Sequence, residues 1–82
     1  MYPWDMMFEE TGVPTILTIE LERETDGRWI AEVIELPGVL AYGVTRSEAI
    51  AHVEALALRV VADQLENEDA THHFLSISFA AA

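Results

Sequence analysis

The chain contains no cysteine, so disulfides cannot staple it and thiolate metal sites are excluded. Basic residues are also scarce: four stand against fifteen acidic ones, a formal net charge of −11. Nucleic-acid backbones are gripped by Lys and Arg through counterion release, so this balance repels nucleic acid and anionic membrane surfaces. It instead attracts a basic protein and speeds that encounter, besides keeping a small apolar protein in solution. No apolar run approaches the length of a bilayer span. The apolar opening, Met1 to Phe8, lacks a basic flank, a long apolar core and a small-residue cleavage site, so it does not read as a signal peptide. The expectation is a cytoplasmic protein.

What remains is 82 residues, of which 51% are hydrophobic. That length makes one domain, and a domain this small buries only about 60% of the surface of its unfolded chain. Self-association is one way to bury the excess apolar surface. Residues 1–13 show no period and are punctuated by Pro3 and Gly12-Val13-Pro14. They read as an N-terminal arm, whose Trp4, Met6, Met7 and Phe8 suit a hydrophobic gap better than a cofactor. Residues 14–82 then form the domain.

From Thr15 to Glu22, Leu17, Ile19 and Leu21 alternate with Thr18, Glu20 and Glu22, the period of a strand with one covered face. Thr25-Asp26-Gly27-Arg28 is hairpin chemistry, since Asp and Gly tolerate positive φ. Trp29 to Glu35 is the return strand, with Trp29, Ala31 and Val33 on one face and Ile30, Glu32 and Ile34 on the other. Both faces are partly apolar, which predicts a central strand contacted on both sides. Leu36-Pro37-Gly38 breaks it, and Val39 to Gly43 is a short third strand. Thr45-Arg46-Ser47-Glu48 is a capping box, with the Glu48 carboxylate expected to reach back to Thr45. A helix runs to about Glu66 with Ile50, Val53, Leu56, Ala57, Val60, Val61 and Leu65 as its apolar stripe. After a polar connection, His73 to Phe79 is a fourth strand with Leu75, Ile77 and Phe79 on one face. The order β-β-β-α-β predicts an α+β two-layer sandwich: an antiparallel meander plus a returning strand, with one helix packed on the sheet.

Three stretches occur in a telling order: Asp26-Gly27-Arg28-Trp29, Glu35-Leu36-Pro37-Gly38, and Gly43-Val44-Thr45-Arg46-Ser47-Glu48-Ala49. In order and spacing they resemble the HicB antitoxin family, with its Asp-Gly and aromatic hairpin, Leu-Pro-Gly turn and Gly-x-Thr-x-x-Glu-Ala helix start. The resemblance spans about Thr15 to Phe79. It implies a partial RNase H-like fold, a homo-oligomer of dimer size or larger, and pairing with HicA, a small basic RNA-cleaving toxin that such a protein blocks. Many members add a C-terminal DNA-binding domain. This sequence stops at Ala82, just past the fourth strand, so the expectation is toxin binding without operator binding.

The same fold raises a nuclease reading, which needs carboxylates converging on divalent metals. Glu20, Glu22 and Glu32 fall on one strand face, but the sequence offers little basic surface to hold a substrate. No nucleophile motif or phosphate-binding loop appears. If both lie in a strand, His72 and His73 point to opposite faces, so one metal ion cannot easily take both, and His52, four residues after Glu48 on the helix, suits a surface pair better than a metal. The expectation is therefore no catalysis, no metal and no cofactor. Glu20, Glu22, Glu32 and Glu35 are the candidates for docking a basic partner. Ile30, Ile34, Leu40 and Tyr42 are the candidates for an oligomer interface on the sheet face opposite the helix, unless register moves them into the core. Arg28 and Arg46 flank turns and are read as solvated.

Overall fold

The computed structural model describes residues 13–67 and 74–82. The expectations for Trp4, Met6, Met7, Phe8, His72 and His73 fall outside the described residues. Within the described residues four strands and one helix follow in the order β1 (Val13–Arg23), β2 (Trp29–Val33), β3 (Leu40–Gly43), α1 (Arg46–Asn67) and β4 (Phe74–Ala81). The architecture is α+β, as the periodicities require. One mixed sheet has the strand order β3-β2-β1-β4. β1 pairs antiparallel with β2, and β2 antiparallel with β3, while β4 runs parallel to β1. β3, β1 and β4 therefore point the same way, and a parallel return needs a crossover, which α1 supplies.

The register places Ile19 opposite Val33 and Leu21 opposite Ala31, with Ala31 opposite Ala41 on the far side. These residues face α1. Leu17, Ile19, Ala31, Val33 and Val39 from the sheet side and Ala49, Val53 and Ala57 from the helix make the buried core. Fully burying a side chain such as Ile19, Val33 or Val53 contributes roughly 1.5–3 kcal/mol. α1 packs mainly against β3 and β2. Its buried line is Ala49, Val53, Ala57 and Val61, one residue every turn. Ile50, Leu56 and Val60 flank that line, whereas Leu65, expected in the stripe, is exposed near the end of the helix.

Two turns set the register. In the first hairpin the Gly27 N–H donates to the Glu24 carbonyl and the Glu24 N–H to that of Arg28. Gly27 alone takes a positive φ, at 91°, and Asp26 does not. Asp26 acts through its side chain instead: one carboxylate oxygen accepts from the Arg28 backbone N–H at 3.0 Å and the other from Arg28 Nε at 2.7 Å. In the second turn Pro37 precedes Gly38 at φ 83°, and the Val39 N–H closes onto the Leu36 carbonyl, the residue pattern of a type II turn. This turn starts early, so β2 ends at Val33 rather than at Glu35.

The start of α1 is a capping box with a longer reach than expected. The Glu48 N–H donates to Thr45 Oγ1 at 3.1 Å, while the Glu48 carboxylate accepts from the Val44 N–H at 3.0 Å, one residue before the cap. Gly43 lets β3 run close beneath this turn. A Cβ there would lie 2.8 Å from Ala49 Cα, closer than side-chain carbons come to backbone.

Candidate functional site on the open sheet face

Strand alternation sends every second side chain away from α1. On β1 these are Ile16, Thr18, Glu20 and Glu22; on β2, Ile30, Glu32 and, just past its end, Ile34; on β3, Leu40 and Tyr42; on β4, Ser76, Ser78 and Ala80. Cross-strand pairing arranges them in rows. Glu20 stands opposite Glu32, which stands opposite Leu40; Glu22 stands opposite Ile30, which stands opposite Tyr42. The residues expected to dock a basic partner and those expected to form an oligomer interface thus interleave on one surface.

Among the described residues nothing covers that surface. Ile16 is 61% exposed, Ile34 49%, Tyr42 40% and Leu40 38%. β2 is central within the sheet, as its two apolar faces suggest, but among the described residues only the face toward α1 is packed. A shallow depression of about 460 Å3 opens here, with Glu20, Glu22, Glu24, Ile30 and Glu32 in its lining. Among the described residues, four carboxylates and no base line it. Glu20, Glu22 and Glu32 form no ion pair among the described residues. Nor does any cluster of three or more His, Asp or Glu side chains among the described residues have a metal-holding arrangement.

Glu35 stands apart from the other three glutamates. Its carboxylate accepts from the Thr18 backbone N–H at 2.7 Å and from the Thr18 hydroxyl at 2.7 Å. Because β2 turns away after Val33, this carboxylate takes up the Thr18 N–H beside the last ladder bond, in which the Ile34 N–H donates to the Thr18 carbonyl. The Thr18 N–H, followed by the hydroxyl, holds the Glu35 carboxyl below the usual glutamate range. Nothing in the alternation of β2 marks that role.

The cations also differ from expectation. Arg28 is not simply solvated: it pairs with Asp26 and stacks over the Tyr42 ring at 4.6 Å from its centroid. A cation on an aromatic face contributes about 0.5–1 kcal/mol at an exposed site. Arg23 lies over Trp29, its cross-strand partner, at 5.9 Å. His52 does not pair with Glu48. Its Nδ1 lies 2.8 Å from the Tyr42 carbonyl oxygen, which can only accept, so Nδ1 carries the proton and ties the helix to β3. Arg46 is exposed at the first turn of α1.

The chain matches no family model, no curated protein and no solved structure. Among the described residues, no helix is long and apolar enough to cross a membrane.

Proposed function

We propose that this chain is a HicB-like, antitoxin-type protein that binds a small basic HicA-like RNA-cleaving toxin in the cytoplasm and neutralises it without chemistry of its own. The observation that carries the reading is the carboxylate row Glu20–Glu32 with Glu22 beside it, unpaired among the described residues and set among exposed Ile34, Leu40 and Tyr42. Carboxylates lying directly across a sheet repel each other, and a cation brought by a partner removes that cost. The apolar residues alongside supply the area that a charged rim alone lacks. Inhibition is then steric and electrostatic: the acidic face covers the basic surface by which such a toxin holds RNA. The motif order from Asp26 to Ala49 supports the same reading.

The test is capture of co-purifying proteins from the native cell, followed by binding kinetics with the small basic protein recovered, or with a HicA-like toxin expressed for the purpose. Neutralising Glu20, Glu22 and Glu32 together to Gln should slow association at low salt and flatten its salt dependence. An association rate untouched by these changes sinks the mechanism.

A second reading is favoured by the exposure of Ile34, Leu40 and Tyr42: an orphan module that self-associates through this face, with Ile30 at its centre. Under that reading Tyr42→Arg gives a monomer and no basic protein is recovered.

A further inference from the structure

We infer that the outer edge of β4 is the self-association site, and that its occupant is β4 of a second copy, paired antiparallel across a two-fold axis. Among the described residues the sheet has two edges, β3 and β4. β3 is blunted: it is four residues long, and the Tyr42 carbonyl is engaged by His52. β4 is eight residues long, Phe-Leu-Ser-Ile-Ser-Phe-Ala-Ala, with no charge, proline or glycine. Charge and proline are among the features by which folded proteins protect an exposed edge, and β4 carries neither; its one irregularity is the register shift against β1 between Phe74 and Ser76, at its start. No described strand pairs with it on the side away from β1.

Charge selects a second copy for this edge. A chain of net charge −11 opposes its own copies almost everywhere. Stacking two open faces would bring Glu20, Glu22 and Glu32 against their own copies, a like-charge juxtaposition that suppresses association. Residues 70–82 contain no acidic side chain, so two β4 strands meet where repulsion is least. Apolar continuity points the same way. α1 sits over β3 and β2, which leaves Ile77 and Phe79 of β4 packed on the core but only half-buried. Antiparallel pairing centred near Ser78 sets Ile77 opposite Phe79 of the partner and closes the core across the axis. The product is an eight-stranded sheet with both helices on one side and both acidic faces on the other. It holds whichever protein occupies those faces, so it stands or falls apart from the toxin reading.

Sedimentation equilibrium tests it. The full chain should be dimeric at high micromolar concentration. Ser78→Lys lowers the net negative charge, which by itself favours association, yet places two ammonium groups together at the axis; the dimer should weaken at least about tenfold. Tyr42→Arg on the open face should leave it intact. Since the chain has no cysteine, single Cys substitutions at Ser76, Ser78 and Ala80 report without interference. Antiparallel neighbours lie about 4.5–5.5 Å apart at Cα, within disulfide reach. Crosslinking under mild oxidation should peak near Ser78, and Ile16→Cys should stay uncrosslinked. A monomer at every concentration overturns the proposal, as does a dimer that Tyr42→Arg breaks and Ser78→Lys leaves whole. A monomer whose β4 amides resist hydrogen exchange would assign the edge to another segment and overturn it equally.

Discussion

Glu20 and Glu32 are cross-strand partners on β1 and β2, both directed away from α1, and no cation of the described residues stands between them. Like charges in direct opposition destabilise a sheet by roughly a few tenths of a kcal/mol in an exposed pair. Glu20→Gln should therefore raise the thermal midpoint of the isolated chain slightly while weakening its binding to a basic partner. Opposite movement of stability and affinity is the signature of a surface kept for binding. A Glu20→Gln chain that unfolds earlier than wild type would mean that the carboxylate has a structural partner, and the argument from repulsion would fail.

Glu35 gives a prediction in pH. Its folded-state pKa is depressed below the ordinary 4.5, first by the Thr18 backbone N–H and then by the Thr18 hydroxyl. A depressed carboxyl contributes stability that is fully present above the unfolded value and is lost as pH falls through the folded one. Asp26, held down first by the Arg28 backbone N–H and then by its side chain, acts in the same direction, from its lower ordinary value of 3.8. Midpoints measured from neutral pH into the acid range should fall less steeply for Glu35→Gln than for wild type, with the two curves converging at the acid end. Curves that stay parallel through the carboxylate range would show that Thr18 makes no distinction between the two states of Glu35.

The periodicities of Leu17-Ile19-Leu21 and Trp29-Ala31-Val33 reveal which strand faces meet the helix, and the Gly27 and Gly38 turns are visible in their residue types. Those signals are local. The docking of β4 beside β1 is not local: it follows from a crossover whose landing place no residue of β4 encodes, so the parallel pairing emerges only from the assembled sheet. The site was half legible for the same reason. Alternation alone put Glu20, Glu22 and Glu32 on one face. It also sets Ile30 and Ile34 beside Glu32 along β2, but not the rows that join them to Glu20, Glu22, Leu40 and Tyr42, which depend on register between strands. The contacts of Glu35 and His52 are not legible in the sequence because their partners, Thr18 and the Tyr42 carbonyl, lie 17 and 10 residues away.

The start of α1 should tolerate loss of one capping contact but not the other equally. Thr45 Oγ1 accepts from the Glu48 N–H inside the first turn, and Thr45→Ala should cost about 1 kcal/mol in urea unfolding. Thr45→Ser keeps the oxygen and should restore most of that loss. If Ser and Ala prove equally damaging, the threonine methyl and not the cap carries the effect.

Gly43 and Gly27 are both required, for different reasons that one pair of substitutions separates. Gly27 has open space around its Cα and a φ of 91°, so an added side chain suffers only backbone strain. Asn, which tolerates that conformation, should recover part of the stability that Gly27→Ala loses. Gly43 has no positive φ, but a Cβ would meet the Ala49 Cα and the Glu48 carbonyl carbon at 2.8 Å, both backbone atoms fixed by the helix. Overpacking of this kind costs typically about 1–3 kcal/mol. Gly43→Ala should therefore destabilise the fold and Gly43→Asn should be no better, because no side chain avoids the Cβ. The displaced first turn of α1 should also loosen the bond from His52 to the Tyr42 carbonyl, read as a change in the His52 ring nitrogen resonances. Rescue of Gly43 by Asn, or a Gly43→Ala chain of wild-type stability, would show that β3 and α1 separate freely at this point.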